Sequence, residues 1–267
     1  MTIALYIPDD EVEALRQYTQ EVADTFYAVF QTASDRFTAG NTLVDRFNEA
    51  IENVIRNGRH HFHAVDEAHN ELCVAKAIIE NPEPLFFSVI DYEPKISGCN
   101  KSIDFRAKTA SDVTVWIDVK TIKPKRIDKW EHFQNVQHKG LLPENVDVRL
   151  SKVWLGGEIW HDKVTVRARM LEYAIELEGK IAQGSLINGK DNFVLFLCGE
   201  GFYWLEDELE DFVEFYRSGN HNSDDPFSKM EQHSFRENGK NINRTISNLA
   251  CIEYSGESVP GLSLIHI

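Results

Sequence analysis

The sequence predicts an α/β domain in which helices cover a β-sheet. Amphipathic helical patterns occupy most of residues 9–81, strand-like alternation runs through residues 113–122, and residues 192–198 form an uncharged apolar run. Helices that alternate with short strands are typical of layered α/β folds. With 267 residues, 42% of them hydrophobic, the chain is long enough to bury a full core.

Residues 1–58 are predicted to form a helical N-terminal extension. Apolar side chains recur at helical spacing through residues 9–37 and again through residues 41–57. Gly40 separates the two patterns, and Gly58 ends the second. We expect this extension to have no chemistry of its own.

A second domain is predicted over residues 59–217, and it begins with a helix over residues 65–81. One face of this helix is apolar and carries Val65, Ala68, Leu72, Ala75 and Ile79. Glu67 and Glu71 lie one turn apart on the flank of that face. Prolines end the helix, and the β-branched and aromatic residues of 85–93 predict a strand.

A charged pair interrupts an otherwise apolar strand. Side chains alternate along residues 113–122, so Asp118 and Lys120 project to one face while the apolar residues around them project to the other. The simplest explanation without function is a salt bridge on an edge strand. The apolar companion face instead indicates a covered sheet, which favours a functional pair.

A second acid is predicted to lie beside Asp118. We expect residues 102–105 to form a neighbouring antiparallel strand, joined by a polar hairpin over residues 106–112. Asp104 can then lie next to Asp118 and share a divalent cation with it. Carboxylate oxygens are the ligands that hard cations such as Mg²⁺ prefer.

The remaining elements complete the layered pattern. The sequence predicts strands around residues 146–155 and 158–160, a helix over 163–184, the buried strand 192–198 and a helix over 205–219. Residues 218–267 are predicted to be a polar tail or linker. The final GLSLIHI resembles translated read-through, so we expect a truncated native C-terminus and give these residues no weight in the fold.

Composition argues against several classes of protein. The net charge of −15 opposes tight, sequence-independent binding to a polyanion. The four cysteines form no C-x-x-C pair, so neither a zinc knuckle nor a disulfide framework is indicated. The sequence has no signal-peptide pattern and no apolar run of transmembrane length. We therefore expect a cytoplasmic protein without a membrane partner.

The order of helix, strands, helix and buried strand, with Asp104 and the Asp118-x-Lys120 motif, resembles the PD-(D/E)xK nuclease superfamily. The resemblance covers roughly residues 60–217. It implies a restriction-endonuclease-like core, in which helices flank a mixed β-sheet. The chain departs from the family pattern twice, because Ile103 stands in place of a proline and the middle acid is Asp118 instead of glutamate.

The resemblance implies a role for each motif residue. Asp104 and Asp118 would bind Mg²⁺, for which Mn²⁺ can substitute, and the Val119 backbone carbonyl can add a ligand. Lys120 would orient or help deprotonate the attacking water and stabilise charge on the phosphate. Whether one or two metal ions act stays open.

The acid that completes such a site would come from the helix over residues 65–81. Glu71 is preferred because it lies nearer the apolar face, and Glu67 remains the alternative. A solvated helix flank explains either residue equally well. The histidines within residues 60–69 have no cysteine or acid at finger-like spacing, so we expect a polar loop or helix start there instead of a zinc site.

A basic run follows the lysine of the motif. Residues 120–129 hold five basic residues and one acid. The predicted nucleic-acid contacts are Lys123, Lys125, Arg126 and Lys129. The alternative is a solvated loop beyond a strand end.

The function expected from this reasoning is a metal-dependent endonuclease that hydrolyses DNA, with a role in restriction, repair or phage defence by analogy only. DNA is preferred over RNA solely on the family resemblance. The acidic surface predicts dependence on a partner protein, a particular DNA structure or a missing domain, and a homodimer is compatible with double-strand cleavage. Two alternatives are a catalytically inactive module of the same fold that binds nucleic acid or protein, and a structural α/β protein that docks through its acidic helix.

Overall fold

The computed structural model describes residues 9–58, 62–80, 87–122, 166–184, 186, 191–198, 212–213, 216, 245–254 and 262–266. Its helices are α1 (Asp9–Thr32), α2 (Gly40–Asn57), α3 (Phe62–Glu80) and α4 (Val166–Gln183). Its strands are β1 (Phe87–Tyr92), β2 (Phe105–Thr109), β3 (Thr114–Thr121), β4 (Asp191–Cys198), β5 (Asn248–Tyr254) and β6 (Leu262–His266). The predicted α/β class is confirmed.

The chain divides into two compact units. One comprises Met1–Thr121 and Ala182–Phe196, and the other comprises Ile122–Ile181 and Leu197–Ile267. The candidate site residues that the structure describes all belong to the first unit.

Three helices pack against one another in the first unit. Helix α2 contacts both α1 and α3. Aromatic rings fill the space between them, with Phe26, Phe30 and Phe47 buried. The predicted face of α3 is apolar as expected, and Leu72 is fully buried. Because such burial stabilises each helix far more than its intrinsic propensity does, α1 and α2 form one core with α3.

The sheet lies beside these helices. Four strands follow the order β1-β2-β3-β4 in a mixed sheet flanked by helices. Strands β1 and β2 pair antiparallel, as do β2 and β3, with Phe105 opposite Ile117 and Arg106 opposite Trp116. Helix α3 packs on β3. The finer restriction-endonuclease-like assignment of this sheet remains a prediction.

The segment between α1 and α2 covers the edge of β1. Phe37 forms a parallel bridge with Ile90, whose N–H donates to the Arg36 carbonyl at 2.8 Å. The Arg36 guanidinium donates to the carbonyls of Phe87 at 2.9 Å and Ile79 at 2.8 Å. These bonds satisfy backbone groups that an open strand edge would expose.

The predicted hairpin over residues 106–112 is wrong in its length. Residues Arg106 to Thr109 belong to β2, and the turn is confined to residues 110–113. The polar side chains of Arg106 and Lys108 belong to a strand and not to a loop. They alternate with the buried Phe105 and Ala107 and lie on the partly exposed face of β2. Asp112 takes a left-handed φ of 61°, which aspartate tolerates in tight turns.

The second unit contains strands that the sequence analysis did not anticipate. Strands β5 and β6 lie within residues 218–267 and pair antiparallel, with Ile252 opposite Leu264. In the same unit, the Tyr216 hydroxyl donates to Glu178 Oε1 of α4 at 2.5 Å and accepts from the Ile246 N–H at 3.2 Å. The strands predicted at 146–160 and most of the helix predicted at 205–219 lie outside the described residues.

Gly40, at the start of α2, permits a close approach between helices. A Cβ at this position would lie 2.6 Å from Phe30 Cβ, closer than carbon atoms can approach. We expect Gly40→Ala to lower the free energy of unfolding by about 1–3 kcal/mol, because α1 and α2 must separate. Chemical denaturation measures the change.

Gly179→Ala is the matched control for that substitution. Gly179 lies inside α4, and a Cβ there meets nothing within 4 Å. This variant should gain about 0.5–1 kcal/mol from helix propensity. Equal effects of the two substitutions would contradict the proposed helix contact.

Candidate functional site

Asp118 and Lys120 project to the same side of β3. The Asp118 side chain is 0% exposed and that of Lys120 is 19% exposed. Lys120 Nζ lies 3.3 Å from Asp118 Oδ2, so the lysine forms an ion pair with the buried acid. Removing a carboxylate from water costs several kcal/mol, and this nearby cation offsets part of that cost.

Asp104 stands directly before β2, next to the buried acid of β3. The β2–β3 register ends with Phe105 opposite Ile117, and Asp104 and Asp118 are each the next residue beyond that pair. Asp104 Oδ2 accepts from the Val119 N–H at 2.6 Å. The Asp104 carbonyl accepts from the Glu93 N–H at 2.8 Å. Backbone bonds on both sides therefore hold Asp104 beside β3.

Glu71 of α3 is electrostatically coupled to Asp104, and we refer to Asp104, Asp118 and Glu71 together as the acid cluster. Glu71 is buried, and its Oε2 accepts from Arg46 Nη1 at 2.8 Å and from the Tyr92 hydroxyl at 2.7 Å. Burial raises the pKa of Glu71 to about 7, and the charge of Asp104 acts in the same direction. Arg46 and the Tyr92 hydrogen bond oppose this rise. The two acids are thus close enough to repel each other.

Of the two helix acids considered from the sequence, Glu71 is the one that the structure couples to Asp104. Glu67 lies one turn earlier on α3 and is only half-buried. The electrostatic effect of Asp104 falls on Glu71. A buried acid with a strongly raised pKa beside other acids is typical of functional sites.

Arg46 and Tyr92 are the site residues that sequence reasoning missed. Arg46 comes from α2, in the extension that we expected to have no chemistry, and its Nη1 also lies 2.5 Å from the Tyr92 hydroxyl and 3.6 Å from Glu93 Oε1. Burial and the charge of Glu71 raise the pKa of Tyr92 above its usual range. The available signal was weak: an arginine beside the core residue Phe47, and a tyrosine at the end of a predicted strand.

The backbone at Glu93 adds a local constraint to the site. Its φ is 46°, a left-handed value that residues other than glycine seldom adopt. This conformation places the Glu93 N–H on the Asp104 carbonyl and the carboxylate near Arg46. Sparsely populated backbone conformations persist where the surrounding contacts enforce them, often next to functional groups.

A buried hydrogen bond fixes α3 against β3. Asn70 Nδ2 donates to Thr121 Oγ1 at 2.8 Å, and both side chains are buried. Asn70 precedes Glu71, and Thr121 follows Lys120. This bond therefore sets the position of the helix acid relative to the charged pair of the strand.

The donor chemistry of the cluster suits a hard divalent cation. Asp104, Asp118 and Glu71 supply carboxylate oxygens, which Mg²⁺ prefers. In the part of the chain that the structure describes, no group of three or more His, Cys, Asp or Glu side chains is placed so that it could hold a metal ion. The negative charge is instead balanced internally, by Lys120 at Asp118 and by Arg46 at Glu71.

The other residues singled out from the sequence are distributed differently. Lys123, Lys125, Arg126 and Lys129, the predicted nucleic-acid contacts, lie outside the described residues. His69 is buried, with its ring against Phe26 and Phe47 and its Nε2 3.8 Å from Cys73 Sγ. Its surroundings are those of a core residue.

No protein-family model, curated protein or solved structure shows a significant match to this chain. Over the described residues, no helix has the length and apolar character required to cross a membrane. Evidence for a function therefore comes from the geometry of the acid cluster.

The raised pKa of Glu71 predicts a pH-dependent change in stability. The folded protein holds a proton on Glu71 up to about pH 7, whereas the ordinary pKa is 4.5. This group therefore contributes stability below pH 4.5 that is lost as the pH rises towards 7. Glutamine at position 71 is uncharged at every pH. Above pH 7, the free energy of unfolding of Glu71→Gln should therefore be about 1–3 kcal/mol higher than that of wild type.

Denaturation at pH 4 and pH 8 would measure this effect, with Glu67→Gln as the control for removing an acid from α3. Glu71→Gln and wild type should have nearly equal free energies of unfolding at pH 4 and different ones at pH 8. If the difference in free energy of unfolding between Glu71→Gln and wild type stayed constant with pH, that result would contradict a raised pKa of Glu71.

Proposed function

We propose that this protein is a divalent-cation-dependent endonuclease that hydrolyses phosphodiester bonds of DNA. The observation that carries the proposal is the fully buried Asp118, which pairs with Lys120 and precedes Val119, whose N–H donates to Asp104. A buried ion pair contributes little net stability compared with apolar residues of similar size. The neighbouring acid Asp104 is in turn coupled to a buried third acid, Glu71, and this concentration of acids is better explained by chemistry than by folding.

Each residue of the cluster has a proposed part in the chemistry. Asp104, Asp118 and the Val119 carbonyl would hold the cation, with Glu71 as the further acid. When bound, the cation would polarise the phosphate and make a bound water more acidic. Lys120 lies on the same side of β3 as Asp118, so its ammonium group can orient the attacking water and donate hydrogen bonds to phosphate oxygens.

The partner is proposed to be DNA, held by a local basic path. The net charge of −15 disfavours a broad electrostatic attraction to nucleic acid. Lys123, Lys125, Arg126 and Lys129 follow β3 directly in the sequence and would contact the phosphate backbone. A partner protein, a homodimer or a particular DNA structure would supply the remaining affinity. A cytoplasmic role in restriction, repair or phage defence follows by analogy.

A second candidate function is a catalytically inactive module of the same fold that binds nucleic acid or protein. The observation that favours it is the internal balance of charge: Lys120 pairs with Asp118, Arg46 with Glu71, and the Val119 N–H with Asp104. A cluster balanced in this way is stable without a cation. This candidate predicts DNA or protein binding that does not require a divalent cation.

The nuclease proposal predicts that the buried acid is essential for cleavage. Asp118→Asn keeps the size of the side chain and removes its charge, so Mg²⁺-dependent cleavage of plasmid DNA should fall by about 10²-fold or more. Cleavage assays on supercoiled plasmid, single-stranded DNA and RNA would also identify the substrate class. Circular dichroism would show that the variant remains folded.

Asp112→Asn is the matched control, because it removes an acid from the turn that follows β2 without touching the cluster. The Asp112 side chain is 89% exposed, and asparagine tolerates its left-handed backbone. Cleavage by this variant should equal that of wild type. Full activity of a purified, folded Asp118→Asn variant would refute the assignment, and cation-independent DNA binding without cleavage would favour the second candidate.

A further inference from the structure

Arg46, on helix α2, neutralises Glu71 although it is not part of the Asp118-x-Lys120 motif of β3. Its Nη1 donates to Glu71 Oε2 at 2.8 Å and lies 3.6 Å from Glu93 Oε1. The side chain of Glu71 is 8% exposed, whereas that of Arg46 is 44% exposed. Glu71 is therefore buried, whereas the Arg46 side chain that neutralises it is partly exposed to solvent.

This asymmetry makes Arg46 the replaceable member of the pair. Lys120 is mostly enclosed next to Asp118, but Arg46 can turn into solvent without opening the core. The Tyr92 hydroxyl would still donate to Glu71 after such a turn. A guanidinium that occupies the same carboxylate oxygen as an incoming cation must leave it, because two positive groups repel at such short range.

We infer that Arg46 is a displaceable counter-ion, which releases Glu71 when a divalent cation binds and then binds a phosphate oxygen of the substrate. This inference rests on the proposed nuclease function. Guanidinium groups bind phosphate through paired N–H donors. Arg46 pairs with Glu71, and Lys120 pairs with Asp118. Helix α2, within the N-terminal extension, thus contributes a residue that binds substrate.

The competition between Arg46 and the cation can be measured without nucleic acid. Calorimetric titration with Mn²⁺ would compare wild type with Arg46→Gln, which removes the charge but can still donate a hydrogen bond to Glu71. We expect Arg46→Gln to bind Mn²⁺ about 5-fold more tightly or better, because the cation no longer displaces a competitor.

The matched control is Arg56→Gln, on the same helix. The Arg56 side chain is 69% exposed and pairs with Glu52, one turn away on α2. Its replacement changes the net charge by the same amount and should leave the Mn²⁺ affinity unchanged. If Arg46→Gln folds poorly, Arg46→Met also removes the charge and should tighten Mn²⁺ binding in the same way. Arg46→Lys retains the charge and should bind Mn²⁺ with wild-type affinity, so equal tightening by Arg46→Lys would contradict the inference.

The phosphate role predicts the opposite effect on substrate. Fluorescence anisotropy with duplex DNA, in Ca²⁺ to slow turnover, should show weaker binding by Arg46→Gln than by Arg56→Gln. The slope of log K against log salt should fall by about 1 for Arg46→Gln, as expected for the loss of one phosphate contact.

The outcomes separate this inference from the function on which it rests. Tighter Mn²⁺ binding with weaker DNA binding in Arg46→Gln supports the displaceable counter-ion. Equal Mn²⁺ binding by wild type and Arg46→Gln overturns the inference while the metal site stands. Tighter Mn²⁺ binding with unchanged DNA binding overturns the phosphate role. No Mn²⁺ binding by any of the folded proteins overturns the nuclease proposal as well.

Discussion

The burial of the Asp118 carboxylate is the constraint on which the arrangement of this unit depends. A charge fully removed from water is stable only with a partner, and Lys120 supplies one from the next position on the same face of β3. Another acid, Asp104, is held next to β3 by the Val119 N–H. The strand pair therefore concentrates negative charge at one point, and the surrounding elements must compensate for it.

The helices provide that compensation while adding a third acid. Glu71 enters the cluster from α3, which the buried bond from Asn70 to Thr121 holds against β3. Arg46 of α2 and the hydroxyl of Tyr92 then stabilise the added charge. Even so, the pKa of Glu71 remains raised to about 7, so the fold holds this acid at some expense in stability.

Much of the fold could be predicted from the sequence, because it depends on local periodicity. The apolar spacing that marks α3 and the alternation that places Asp118 beside Lys120 are properties of short segments. The extent of β2 was missed because Arg106 and Lys108 look like loop residues, although the Arg106 guanidinium lies over the Trp116 ring at 5.6 Å and pairs with Asp91. Long polar side chains can cover a strand face while their charges reach water.

The parts of the site that were missed depend on contacts distant in sequence. Arg46 reaches Glu71 only because α2 packs on α3, and Tyr92 reaches it only because β1 ends beside that helix. Sequence alone could not choose between Glu67 and Glu71 either, since both lie on the flank of one helix. The choice follows from the packing of α3 on β3, which brings Glu71 under the influence of Asp104.

Anomalous diffraction from crystals soaked with Mn²⁺ would show whether these acids bind a divalent cation. We predict an anomalous peak in contact with carboxylate oxygens of Asp104 and Asp118, close to Glu71, with the Arg46 guanidinium moved away from Glu71. An ordered structure in which Mn²⁺ is absent from this cluster, and both ion pairs persist at saturating cation, would contradict it.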